Sequence, residues 1–122
     1  MFAFLFGGRK EDQRSYKGCR RCNVLYATKS ISIPSDFRKI LSVIRANMED
    51  KTIIESDYWP DHLIINDCET PFDMVTGKGK PLEEVYTYYF ECPKCGQLYQ
   101  LFCSTVQGCK GKWRPLIESD FR

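Results

Sequence analysis

Apolar and polar positions follow a two-residue period most clearly from Val85 to Cys92. Tyr86, Tyr88 and Phe90 fall on one face there, and Val85, Thr87 and Tyr89 on the other. Aromatic and β-branched residues on both faces predict a central strand covered on both sides. Gln97 to Cys103 returns as its antiparallel partner, across the turn Cys92-Pro93-Lys94-Cys95-Gly96. After a further tight turn at Gly108-Cys109-Lys110-Gly111-Lys112, Trp113 to Ile117 reads as a terminal or edge strand, because Pro115 has no N–H to give to a ladder interior. Nearer the N-terminus, Val24 to Thr28 reads as a short strand ended by Lys29-Ser30, with Ile31 and Ile33 as candidates to extend it and Pro34 closing it. His62 to Asn66, after the turn Trp59-Pro60-Asp61, reads as a short buried strand.

After Pro34 the period lengthens to that of a helix. Phe37, Ile40, Leu41, Ile44 and Met48 share one face, while Arg38, Lys39, Ser42, Arg45 and Glu49 lie largely opposite. Ser35 or Asp36 is placed to cap its first turn. The simplest reading is an amphipathic helix laid on a sheet, with a basic recognition face of Arg38 and Arg45 as the alternative. Residues 7–18 and 67–81 are polar, Gly- and Pro-bearing loops. Gly77-Lys78-Gly79-Lys80 lacks the spacing of a phosphate-binding loop and reads as a solvated turn. The expected fold class is α+β: an antiparallel sheet, one principal helix, and a zinc knuckle joining the N-terminal region to the C-terminal hairpin. At 122 residues this is a single domain, with 1–18 an N-terminal segment and loop and 19–122 the globular core.

The candidate chemistry lies in the cysteines. In Cys92-Pro-Lys-Cys95-Gly, Pro93 presets a turn and Gly96 can take the positive φ of its exit, so both thiolates aim at one point. Structural zinc is four-coordinate, and Cys19-Arg20-Arg21-Cys22 offers the missing pair. Cys19, Cys22, Cys92 and Cys95 are therefore the expected ligands of one structural Zn2+. The 69 residues between the pairs exceed the roughly 15–20 of an uninterrupted ribbon, so they must hold an inserted substructure. Two alternatives stay open: a local set of Cys92, Cys95, Cys103 and Cys109, or no metal. Neither pair opens a helix in a βαβ pattern, which argues against a redox Cys-x-x-Cys.

Seven cysteines, an odd number, fit a reducing cytoplasm better than a disulfide framework. No run approaches the length of a membrane span, and the apolar start, with Phe2, Phe4 and Phe6, is too short and lacks the basic flank of a signal peptide. It reads as an N-terminal strand or packed tail, with a peripheral membrane contact backed by Arg9 and Lys10 as the alternative, so no membrane partner is expected. The net charge of +2 conceals an asymmetry: +7 over residues 1–48, −7 over 49–73 and +2 over 74–122.

No catalytic constellation stands out, since the carboxylates are scattered and the one histidine, His62, has no evident partner. A zinc held by four thiolates has no open position for water. An enzyme is not expected, which leaves binding. Asp57-Tyr58-Trp59-Pro60-Asp61 and the stretch from Asp67 through Glu69 to Asp73 interleave carboxylates with aromatics, a composition suited to a basic protein cleft. Arg20, Arg21 and Lys94 at the knuckles, preceded by Arg9, Lys10, Arg14 and Lys17, support the alternative of a zinc-ribbon nucleic-acid-binding module. The acidic middle segment opposes it.

The tail Tyr88-Tyr-Phe-Glu-Cys-Pro-Lys-Cys-Gly-Gln-Leu-Tyr-Gln-Leu-Phe102, followed by Gly108-Cys-Lys-Gly-Lys-Trp113, resembles the ends of small bacterial immunity proteins of polymorphic toxin and contact-dependent growth inhibition systems. The resemblance covers about a quarter of the chain. It implies a cytoplasmic, non-enzymatic protein that neutralises one cognate toxin domain, often a nuclease. It carries over no binding residues, and many such proteins hold no metal.

Overall fold

A computed structural model of the chain describes residues 15–56, 70–106 and 108–121. Among these residues, five strands form one antiparallel sheet: β1 (Lys29–Ile31), β2 (Ile54–Glu55), β3 (Val85–Glu91), β4 (Leu98–Ser104) and β5 (Lys110–Pro115), in the order β1-β5-β4-β3-β2. One long helix, α1 (Pro34–Glu49), connects β1 to β2. Those two strands are opposite edges of the sheet, so the helix carries the chain across one face from edge to edge.

That face holds the main core. Along β3 and β4 the register pairs Tyr86 with Cys103, Tyr88 with Leu101 and Phe90 with Tyr99, so these six side chains share a face. Phe37, Leu41 and Ile44 of α1 are buried in the same cluster, with Ile40 and Met48 packed at its margin. The expected helical stripe is the buried one. Phe72, in a 3-10 turn at Phe72–Met74, meets Tyr88 and Phe90 edge-on at centroid distances of 5.3 and 5.0 Å. Edge-to-face contact sets the positive ring rim against the negative ring face. On the other face, Tyr89, Leu98 and Leu116 form a smaller cluster against Phe121 of a terminal 3-10 turn, so β3 is covered on both sides.

The helix begins on Ile33, with Pro34 in its first turn, rather than on Ser35 or Asp36. Asp36 instead reaches back, its carboxylate accepting the N–H groups of Ser32 and Ile33 at 3.0 and 3.3 Å. At the far end, Lys51 takes a positive φ of 67°, while the N–H groups of Lys51 and Thr52 donate to the carbonyls of Met48 and Asn47. This is a Schellman closure with lysine at the position that favours glycine.

Two expected strands are corrected. Val24 to Thr28 is not a strand: Asn23–Leu25 is a 3-10 turn, and the strand starts only at Lys29. The N–H groups of Leu25, Tyr26 and Ala27 donate to the carbonyls of Cys22, Asn23 and Leu25, so the backbone there is consumed locally. Nor is the last strand an edge, because β5 lies between β1 and β4, and it starts at Lys110, where Lys110 to Lys112 pair with Ser104 to Phe102 instead of forming the expected tight turn. Leu116 N–H donates to Leu98 O of β4, so the nitrogen of Pro115 faces the other way, past Lys29↔Trp113, where β1 has not yet begun. The missing donor is not needed there. The expected strand at His62 to Asn66 and the turn before it lie outside the described residues.

Candidate metal centre

The second knuckle grows directly from the β3–β4 hairpin. β3 ends at Glu91 and β4 starts at Leu98. Cys92 N–H donates to Gln97 O at 2.9 Å and Gly96 N–H to Cys92 O at 2.8 Å, which closes a tight turn. Gly96 has a φ of 80°, the left-handed conformation that the sequence anticipated at this exit. The first knuckle is a turn without a sheet. Cys22 N–H donates to Cys19 O at 3.2 Å, and Gly18 precedes it with a φ of 73°.

The two turns face each other. Cys19 Sγ lies 3.8 Å from Cys22 Sγ and 3.7 Å from Cys92 Sγ, and Cys22 Sγ lies 3.8 Å from Cys95 Sγ. All four sulfurs fall within 4.8 Å of one another. A tetrahedral ion with metal–sulfur bonds of about 2.3 Å requires sulfur–sulfur edges of about 3.8 Å. The centre therefore has the size and the donor set of a four-thiolate metal site. Cys22 and Cys92 are buried, and Cys19 and Cys95 are half-buried.

Further residues hold the halves together, and the cysteine spacing points to none of them. Gln97 is completely buried. Its Oε1 accepts Gly18 N–H at 3.0 Å, and its Nε2 donates to the carbonyls of Leu98 and Leu116 at 2.7 and 2.8 Å. One amide thus ties the approach to the first knuckle to β4 and to the end of β5. Tyr99 is also fully buried, and its hydroxyl faces both the sulfur and the carbonyl of Cys22, at 3.1 and 3.2 Å. Its ring stacks on Trp113 at 5.1 Å, and Trp113 Nε1 donates to Leu25 O. Ser15 N–H donates to Cys95 O at 2.9 Å, and Tyr26 donates its hydroxyl proton to Tyr16 O. Residues 15–18, expected as a loop outside the core, are therefore built into the site.

The thiols differ electrostatically. Burial opposes ionisation of Cys19, but the N–H groups of Cys22 and Arg21, with the thiols of Cys95 and Cys92, bring its pKa down to about 7. Burial pushes Cys22 up, against the opposing hydrogen bond from Tyr99. Burial likewise pushes Cys95 well up, and the neighbouring thiols add to it. Tyr99 is raised by burial and by the Cys22 sulfur, which keeps its hydroxyl a donor. A cation placed here reverses these pressures, because its charge favours every thiolate.

The remaining candidates divide. Cys103 and Cys109 are not part of the tetrad; they meet each other, at 3.1 Å, near the opposite end of β4. Asp57, Tyr58, Trp59, Asp61, Asp67 and Glu69, with His62 and Cys68, lie outside the described residues, whereas Asp73 is exposed in the 3-10 turn. Arg38 and Arg45 form no free recognition face. Arg38 donates to Gly77 O, and Arg45 donates to Phe72 O and Val75 O while lying over the Phe72 ring. Arg21 donates to Asp50 O at 2.8 Å. Lys78, Gly79 and Lys80 are exposed, as expected of a solvated turn. Among the described residues, no helix is long and apolar enough to cross a membrane.

Comparison with protein-family models, with characterised proteins and with solved structures returns no match for this chain.

Proposed function

We propose that the centre holds one structural zinc ion, and that the protein is a non-enzymatic inhibitor. In this reading it binds a basic protein partner through the acidic, aromatic stretch from Asp57 to Asp73, as an immunity protein neutralising a nuclease toxin domain in the cytoplasm. Tetrahedral four-sulfur sites suit zinc or iron, and paired Cys-x-x-Cys turns are a common zinc arrangement. Four thiolates fill the coordination shell, so such an ion organises the fold and activates no water.

The observation that carries the binding reading is how the acidic stretch is mounted. Ser56 N–H donates to Tyr89 O at 2.8 Å, and the Tyr88 hydroxyl donates to Thr70 O. Ser56 and Thr70, which flank residues 57–69 in the sequence, are thus both held on adjacent residues of β3, the strand that runs into the second knuckle. No lysine or arginine occurs between Lys51 and Lys78. A stretch of one charge sign whose flanking residues are held on one strand suits steered recognition of an oppositely charged surface. Arg38 and Arg45 meanwhile serve part-buried backbone carbonyls of Gly77 and Phe72, and the exposed Arg21 donates to Asp50 O, which weakens the nucleic-acid alternative.

The test is protection. If a large secreted protein is encoded beside this chain, as the reading requires, its C-terminal domain is expressed with and without it, and growth and association rate are measured. Joint reversal of Asp57, Asp61 and Glu69 to lysine is expected to slow association and abolish protection, while Arg20→Glu with Lys94→Glu leaves both unchanged. The reading fails if the acidic reversals leave protection intact. It also fails if the chain binds generic RNA or DNA below micromolar concentration at physiological salt, with the steep salt dependence of counterion release.

A further inference from the structure

Cys103 and Cys109 have no role in the tetrad or in the acidic stretch. Cys103 closes the core face of β4 and Cys109 directly precedes β5; both are buried, and their sulfurs lie 3.1 Å apart. That is well inside the 3.7 to 3.8 Å between neighbouring sulfurs of the tetrad. Two thiolates sharing a tetrahedral ion would stand about 3.8 Å apart. Among the described residues no third metal-ligating side chain joins the pair. A disulfide needs about 2.05 Å, so the sulfurs have roughly 1 Å left to close. The strands are already drawn together here. Gly111 pairs with Cys103, and a Cβ at Gly111 would fall 1.9 Å from Phe102 O.

The two sulfurs differ in access. Cys109 lines a cleft of about 230 Å³ that is bordered by Tyr86, Thr105 and Gly108 and by the exposed Lys78 and Lys80. Cys103 does not border the cleft and has no exposed surface. An anionic disulfide of low molecular weight, of the oxidised glutathione type, matches a cleft with a thiol in its wall and two ammonium groups on its rim.

We propose that Cys103 and Cys109 are a thiol modification site that forms a reversible disulfide. Cys109 meets the oxidant and Cys103 resolves the adduct. In the first step the Cys109 thiolate attacks one sulfur of the small disulfide. A protein–glutathione disulfide forms, and one glutathione thiolate departs and takes a proton. In the second step Cys103 passes its proton to the second departing thiolate as its sulfur bonds to Cys109. Two protein thiols are oxidised and one small disulfide is reduced to two thiols, so atoms and electrons balance. Burial, reinforced by the hydrogen bond with Cys109, pushes the Cys103 thiol up, consistent with its acting second.

The experiment treats the metal-loaded full chain with oxidised glutathione, then alkylates, maps peptides by mass and measures bound metal. Expected is the loss of two alkylatable thiols, a Cys103–Cys109 cross-linked peptide, undiminished metal, and full reversal by a dithiol reductant. Cys103→Ala should accumulate glutathione on Cys109, and Cys109→Ser should leave Cys103 unmodified. The proposal is overturned if both thiols stay alkylatable. It is equally overturned if the first disulfide joins either of them to another cysteine with release of metal, or if Cys103 is modified as fast in Cys109→Ser as Cys109 is in Cys103→Ala.

Discussion

Gln97 shows how much of the metal centre depends on a side chain that no ligand pattern points to. Its amide is buried with one acceptor facing Gly18 N–H and one donor group facing two carbonyls. Gln97→Met, close in shape, should destabilise by on the order of 1–3 kcal/mol for each buried partner left unpaired. Gln97→Glu should be worse at neutral pH, because a carboxylate would face the carbonyls of Leu98 and Leu116. Denaturant midpoints check the order, and a glutamate variant more stable than the methionine one would show the network misassigned. Tyr99→Phe removes the hydroxyl that faces Cys22 Sγ and should speed metal loss to a chelator while the fold persists. Acidity has a definite sign here. Metal must displace the protons that burial keeps on Cys22 and Cys95, so affinity falls as pH falls. A metal titration that tightens on acidification would contradict thiolate ligation. The cysteines were legible in the sequence because their spacing is a geometric statement. Gln97 and Tyr99 were not, since a glutamine beside a strand and a tyrosine within one carry no signal of the partner across the chain.

At the scale of elements, the helix face and the central hairpin were legible because their periods differ and both are long enough to measure. The elements misread were short. Asn23–Leu25 has the composition of a strand, yet the turn that orients Cys19 and Cys22 takes up its backbone donors. The edge expected of β5 fails because a proline in a strand does not reveal from sequence which side its nitrogen faces, and Pro115 turns it away from β4. Leu41, fully buried against the sheet, should cost on the order of 2–5 kcal/mol when truncated to alanine. A change near zero would mean this face is not the core. Lys51 offers the opposite sign. Its φ of 67° strains a lysine, so Lys51→Gly should raise stability, by up to about 1 kcal/mol, and a fall in melting temperature would count against the Schellman closure.

Over the whole molecule, the centre joins parts of the chain 73 residues apart in sequence. It fastens the turn leading to β1 onto the hairpin that forms the middle of the sheet, so the loop it closes contains α1, both edge strands and the acidic stretch. A metal bound only by the folded chain contributes its binding free energy to folding, and cross-linking distant positions adds to that contribution. The most direct measurement is elemental analysis of protein purified without chelator, on the wild type and on single cysteine variants. One zinc per chain is expected, lost with marked destabilisation in Cys19→Ser and Cys95→Ser and retained in Cys68→Ser. A chain without metal, or one whose zinc survives those two substitutions and disappears with Cys103 or Cys109, would contradict the assignment.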